Sequence, residues 1–247
     1  MHSEILNRIL RTEPEKFLVP GSTPVISFGD FTTSDLLTLS INPSSKEFQK
    51  GSKLLPVGSK RLVDKELLGI RNDEPINETH AKRIWEGCQR YFSEGSNPYS
   101  WFNDLDLVLG NIGRSYRDGK AAHVDLVQWA TFPAWASIPR EAQNSMVEAD
   151  LEFLKFQIRQ ENVRQIVING RQVFDVIRKL PDFEIEIVDD FKYQSGNLEK
   201  TNSLFIGTGP QKKKVIGWTS TLKALKVSND ERERIYDLLG KWISKQN

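Results

Sequence analysis

The sequence holds one cysteine, Cys88, and three scattered histidines, His2, His80 and His123. One thiol closes no internal disulfide and suits a reducing compartment. With so few nitrogen and sulfur ligands no zinc site is expected, and no tight carboxylate set points to another metal. No apolar run approaches the length of a membrane span, and Met1-His2-Ser3-Glu4 does not read as a signal peptide. A cytoplasmic protein without membrane contact is expected. Charge of one sign is also missing: 34 Lys and Arg against 33 Asp and Glu leave a net +1, so any nucleic-acid surface must be a local patch. No P-loop and no G-x-S-x-G elbow occur, and Gly207-Thr208-Gly209 lacks the third glycine of a dinucleotide fingerprint. No cofactor is expected.

What is present is a chain of 247 residues with strand and helix patterns in alternation. Leu36 to Ile41 is a short apolar run stopped by Asn42-Pro43. Its length and hard stop suit a strand buried on both faces, as in a parallel sheet. Ligands of open α/β sheets bind just beyond such strand ends, where Asn42 would sit, although Asn-Pro is also a common breaker. Helix spacing recurs at Ser3 to Leu10, Ala81 to Phe92, Trp101 to Ile112, Ala142 to Gln160, Val173 to Leu180 and Ser228 to Trp242. Further strand patterns lie at Val25 to Phe28, His123 to Trp129, Gln165 to Asn169, Glu184 to Val188, Leu204 to Gly207 and Val215 to Trp218. The alternation predicts one α/β domain over 1–247, with a central parallel sheet and helices on both faces.

Several polar residues stand out. Asp125 falls inside the second strand pattern, where a carboxylate is costly unless paired or hydrogen-bonded. Asp30 follows Gly29 in a turn and reads as a solvated carboxylate. Lys46, Lys50, Lys53 and Lys60 lie in a loop after Asn42, and Lys212, Lys213 and Lys214 lie between two late strands. Each set either meets phosphates or is simply solvated.

Leu39-Ser40-Ile41-Asn42-Pro43-Ser44 resembles the water-positioning motif of the uracil-DNA glycosylase superfamily. Phe28-Gly29-Asp30, Glu47-Phe48, Tyr91-Phe92, Asn97-Pro98-Tyr99, Trp101-Phe102, His123 to Thr131, Asn169-Gly170-Arg171 and Gly217-Trp218-Thr219-Ser220 extend the likeness in order to most of the chain. Together they resemble a little-characterised bacterial branch of that superfamily. The resemblance implies a three-layer αβα sandwich around a four-stranded parallel sheet. It implies Asn42 and Asp30 as catalytic residues, and Ser44, Phe48, Asp125, Trp129 and Asn169 in the base pocket. Lys46, Lys212, Lys213, Lys214, Trp218, Ser220 and Leu222 would contact DNA, with a Leu wedge near Val215 to Leu222. No histidine follows His123, so the anion-stabilising His of the last motif is absent.

Base cleavage needs an oriented water and a stabilised leaving base, and no metal. An Asp on the recognition strand accepts from cytosine N4, and Ser44 in place of a bulky Tyr leaves room at C5. The expected substrate is therefore a 5-substituted cytosine, such as the hydroxymethylated or glucosylated base of phage DNA, which implies antiviral defence. The expected partner is DNA, as duplex with a flipped base or as a single strand, with no obligate protein partner. Uracil excision, a non-cutting reader of modified DNA, and an unrelated enzyme on a nucleoside or nucleotide are the alternatives.

Overall fold

A computed structural model describes residues 1–246. In chain order its main elements are α1 (Ser3–Leu10), β1 (Leu36–Ser40), β2 (Gln49–Lys50), β3 (Lys53–Leu54), α2 (Lys65–Leu68), α3 (Glu78–Gln89), α4 (Phe102–Gly110), β4 (Ala121–Asp125), α5 (Arg140–Ile158), β5 (Gln165–Asn169), α6 (Arg171–Ile177), β6 (Glu184–Ser195), β7 (Leu198–Thr208), β8 (Lys214–Trp218) and α7 (Asn229–Gln246). The protein is α/β. The chain divides into two compact units, one made of Met1–Thr32, Ile41–Tyr99 and Ala122–Gln160, the other of Thr33–Ser40, Ser100–Ala121 and the chain from Glu161 onward.

In the first unit, α1, α3 and α5 surround an aromatic cluster. Phe31 lies 5.5 Å from Trp85 and 6.4 Å from Phe153, ring centroid to centroid, both edge-on. Such pairs add about 0.5–1.5 kcal/mol each beyond their buried area. Asn77 caps α3 by accepting from His80 N–H, and the His80 ring accepts from Asn77 N–H in return, which meets two otherwise orphaned amides. The expected strand at Val25 to Phe28 is reduced to one bridge, in which Phe28 and His123 exchange backbone hydrogen bonds of 2.8 and 2.9 Å.

In the second unit, five strands run in the order β1-β5-β8-β7-β6. All five residues of β1 are buried, as the apolar run predicts. β1, β5 and β8 are mutually parallel, whereas β7 pairs antiparallel with both β8 and β6. The expected four-stranded parallel sheet is thus corrected to a larger, mixed one. The cause is local: Gly196, at φ 63°, lets β6 turn directly into β7, so the two pair as a hairpin of 12- and 11-residue strands. Gly217 in β8 is required by close approach, since a Cβ there would lie 2.3 Å from Ile168 O and 2.5 Å from the Phe205 ring.

Candidate functional site

The site is built in the first unit, from the turn after β1 and the segment after β4. Asn42 Nδ2 donates to Pro43 O at 2.9 Å, to Thr131 Oγ1 at 3.1 Å and to Trp129 O at 3.3 Å. Val127 N–H donates to Ile41 O at 2.9 Å. The amide nitrogen is thereby consumed. Among the described residues Oδ1 has no donor, so the orientation of the side chain leaves an acceptor to offer.

The segment that holds Asn42 is itself pinned by a buried charge network. Arg8, 3% exposed, donates from Nε to Gln128 Oε1 at 2.8 Å and pairs with Asp150 at 3.1 Å. Asp150 also accepts from Gln128 N–H at 2.7 Å and pairs with Arg11. A buried ion pair is costly unless its other valences are met, and here Gln128 meets several. The Arg8 guanidinium also lies 5.5 Å from the centre of the Trp129 ring.

β4 ends at Asp125, so the acid lies at a strand end and not in mid-strand as the pattern predicted. It is 3% exposed, and the His123 ring Nε2 lies 3.3 Å from its Oδ1. A second buried acid accompanies it. Glu47, 2% exposed, belongs to the 3-10 turn Ser45–Glu47, which Ser44 caps by accepting from Lys46 N–H. Its Oε2 accepts from the Tyr91 hydroxyl at 2.7 Å, and that hydroxyl accepts from Tyr99 N–H at 2.9 Å. Burial pushes the Glu47 carboxyl up from 4.5 to about 8, with the Asp125 charge adding to the effect; Tyr91 and Arg61 oppose it. Burial and the Glu47 charge likewise push the Tyr91 phenol up.

The other expected residues fall as follows. Phe48 is buried, at 1%. Lys46 is exposed. Trp129 packs with Val127 and Met146 in a core cluster, so its contribution to the Asn42 site is its backbone carbonyl. Asp30 is held as a turn acid: Oδ1 accepts from Thr32 N–H and Oγ1, and Oδ2 accepts from Gln89 at 2.8 Å.

In the second unit, Asn169 Oδ1 accepts from Trp218 Nε1 at 2.9 Å and from Leu222 N–H at 3.2 Å, while its buried Nδ2 has no acceptor among the described residues. Ser220 is half-buried, with Tyr193 Oη 3.4 Å from its Oγ. Three expected DNA contacts are corrected. Trp218 is fully buried and Leu222 is 1% exposed, which is no placement for a wedge. Lys213 is turned inward and donates from Nζ to Val163 O at 2.7 Å; burial pulls its ammonium down from 10.5. Lys212 remains exposed and Lys214 opens β8.

The sequence pattern assigns no role to Glu47, Tyr91, Tyr99 or His123, and nothing in it marks Arg8 or Arg61. No local signal marks Glu47, because the tyrosine that hydrogen-bonds its carboxyl lies 44 positions away. Among the described residues no group of three or more His, Cys, Asp or Glu side chains could hold a metal, and no helix is long and apolar enough to cross a membrane. No protein-family model matches the chain, and no curated protein matches it.

Proposed function

We propose that the protein is a cytoplasmic DNA glycosylase of the uracil-DNA glycosylase type, which hydrolyses the N-glycosidic bond of a flipped 5-substituted cytosine and leaves an abasic site. The α/β architecture is compatible with the αβα sandwich of that superfamily. The observation that carries the proposal is Asn42. Its nitrogen is spent on three acceptors, so its oxygen is the end available to a substrate water. An amide is too weak a base to make hydroxide, and an oxocarbenium-like sugar does not require one. Asn42 Oδ1 accepts a hydrogen bond from the water and orients its oxygen lone pair toward C1′. The C1′–N1 electron pair leaves with the base, the water adds, and its proton passes to solvent.

Asp125 accepts from the cytosine N4 amine. Glu47 keeps its proton at neutral pH, so Asp125 does not face a second full negative charge. A base carrying a phage-type substituent at C5 gives the enzyme a defence role without harm to unmodified cytosine. The test is abasic-site formation on matched duplexes and single strands holding uracil, 5-hydroxymethyluracil, 5-hydroxymethylcytosine and its glucosylated form. Cutting of modified cytosine supports the proposal, and cutting of uracil alone replaces it with uracil repair. A second reading, a reader that binds modified DNA without cutting, is favoured by the absence of any histidine after His123. Tight binding with no abasic product would establish it.

A further inference from the structure

Two cations meet over one ring in the first unit. Lys46 Nζ lies 5.9 Å from the centroid of the Tyr99 ring, and the Arg61 guanidinium carbon lies 5.5 Å from it. Arg61 Nη1 also donates to the Lys46 carbonyl at 2.8 Å, which ties the two residues together independently of the ring. Among the described residues neither cation has a carboxylate within ion-pair distance, unlike their neighbours. Lys60 pairs with Asp64 and Glu66, and Lys65 pairs with Glu13 at 2.7 Å. The acid whose charge Arg61 would feel, Glu47, holds its proton at neutral pH. Arg61 Nε–H has no acceptor among the described residues. Two unneutralised charges held together repel, and an anion placed between them relieves that repulsion.

The cations are reachable, Lys46 being exposed and Arg61 and Tyr99 half-buried. Lys46 sits in the turn that follows Asn42, so an anion bound there lies close along the chain to the water-positioning amide. A guanidinium fork and an ammonium on one aromatic support match the oxygens of a phosphate, the fork by paired hydrogen bonds and the ammonium as a point charge. The ring limits the rotamers of both side chains through cation–π attraction.

We propose that Lys46, Arg61 and Tyr99 form a site for one phosphodiester group of the bound DNA strand. The assignment of the phosphate to DNA rests on the glycosylase reading above; the site itself rests on the two unpaired cations.

The experiment measures binding of a fluorescent single-stranded oligodeoxynucleotide to the full chain by anisotropy over a salt series. Arg61→Gln and Lys46→Gln should each reduce the magnitude of the slope of log K against log salt by about 0.7. Each should weaken low-salt binding roughly ten-fold, as loss of a charge-assisted contact does. Arg61→Lys should keep the slope and lose part of the affinity. Lys82→Gln, on the exposed side of α3, should change neither. Thermal melts establish that the variants are folded. Unchanged slopes in Arg61→Gln and Lys46→Gln, or no oligonucleotide binding by the unaltered chain, overturn the proposal. So does Arg61-dependent binding of inorganic phosphate with oligonucleotide affinity indifferent to Arg61, which makes this a free-phosphate site. An Arg61-dependent slope without cleavage of any base supports the phosphate site while removing the glycosylase reading, and cleavage with an unchanged slope does the reverse.

Discussion

The Tyr91 hydroxyl donates a 2.7 Å hydrogen bond to Glu47 Oε2, and the two side chains are almost wholly removed from water. Such a bond favours an ionised acceptor, yet the Glu47 carboxyl rises from 4.5 to about 8 because desolvation outweighs it.

That imbalance gives a pH dependence. Between about 4.5 and about 8 the folded chain keeps a proton on Glu47 that the unfolded chain has released. The folded state binds more protons there, so stability is greatest at the acid end and falls as pH rises through the window, by at most about 1.4 kcal/mol per pH unit. Glu47→Gln imitates the protonated form and should flatten that part of the profile. The check is the change in melting temperature between the two ends of the window. An equal change in both proteins would mean that Glu47 is ionised in the folded state.

Asn42→Ala and Asn42→Asp separate two roles of one side chain. Loss of water positioning should cost ~10²–10⁴ in single-turnover rate in Asn42→Ala, whereas Asn42→Asp keeps an acceptor oxygen for the water. Asp places an acceptor where Nδ2 now meets Pro43 O, Trp129 O and Thr131 Oγ1. It should therefore lose roughly 1–3 kcal/mol of stability, more than Ala loses. Near-normal cleavage by Asn42→Ala would remove Asn42 from the mechanism.

Asp125→Asn turns one acceptor into a donor without changing shape. A good base-edge pair is worth about 1–3 kcal/mol of discrimination. The variant should lose activity on 5-substituted cytosine and gain relative activity on uracil-type bases, read by single-turnover cleavage of the matched duplexes. An unchanged preference would make Asp125 a structural acid, occupied with His123.

The lysine run should split. Lys213→Ala leaves Val163 O without its donor and should lower the melting temperature, the cost being about 1–3 kcal/mol. Lys212→Ala, at an exposed position, should leave stability within about 0.5 kcal/mol. Equal melting temperatures would show that the Lys213 bond contributes nothing.

Local pattern made much of the fold legible. β5 is read at its observed bounds from Gln165-Ile166-Val167-Ile168-Asn169, because an apolar run ended by glycine needs no distant information. β1 was equally plain. The hairpin was harder. Gly196-Asn197 is a two-residue turn signal, but the surrounding Asp189, Asp190, Lys192 and Lys200 break the apolar alternation, and the register shifts between Ile187 and Asp189. In the candidate site, Asn42 was visible because strand and stop adjoin it. The partners that orient it were not, since Thr131 lies 89 positions away and Arg8 reaches Gln128 across 120. Side-chain burial misled for Lys213 and Leu222: a lysine between two lysines reads as solvated until Val163 is seen beneath it.

The outer margin of the second unit's sheet is β6, which carries Glu184, Glu186, Asp189 and Asp190, all four exposed on a strand with a bulge. Its outward amides and carbonyls would otherwise invite another strand. Any chain that tried to extend the sheet there would have to bring its backbone against a row of carboxylates and follow a kink. A polyanion meets the same row as a repulsive wall. A margin of this kind therefore disfavours both the stacking of copies of this protein into ribbons and the approach of any polyanion.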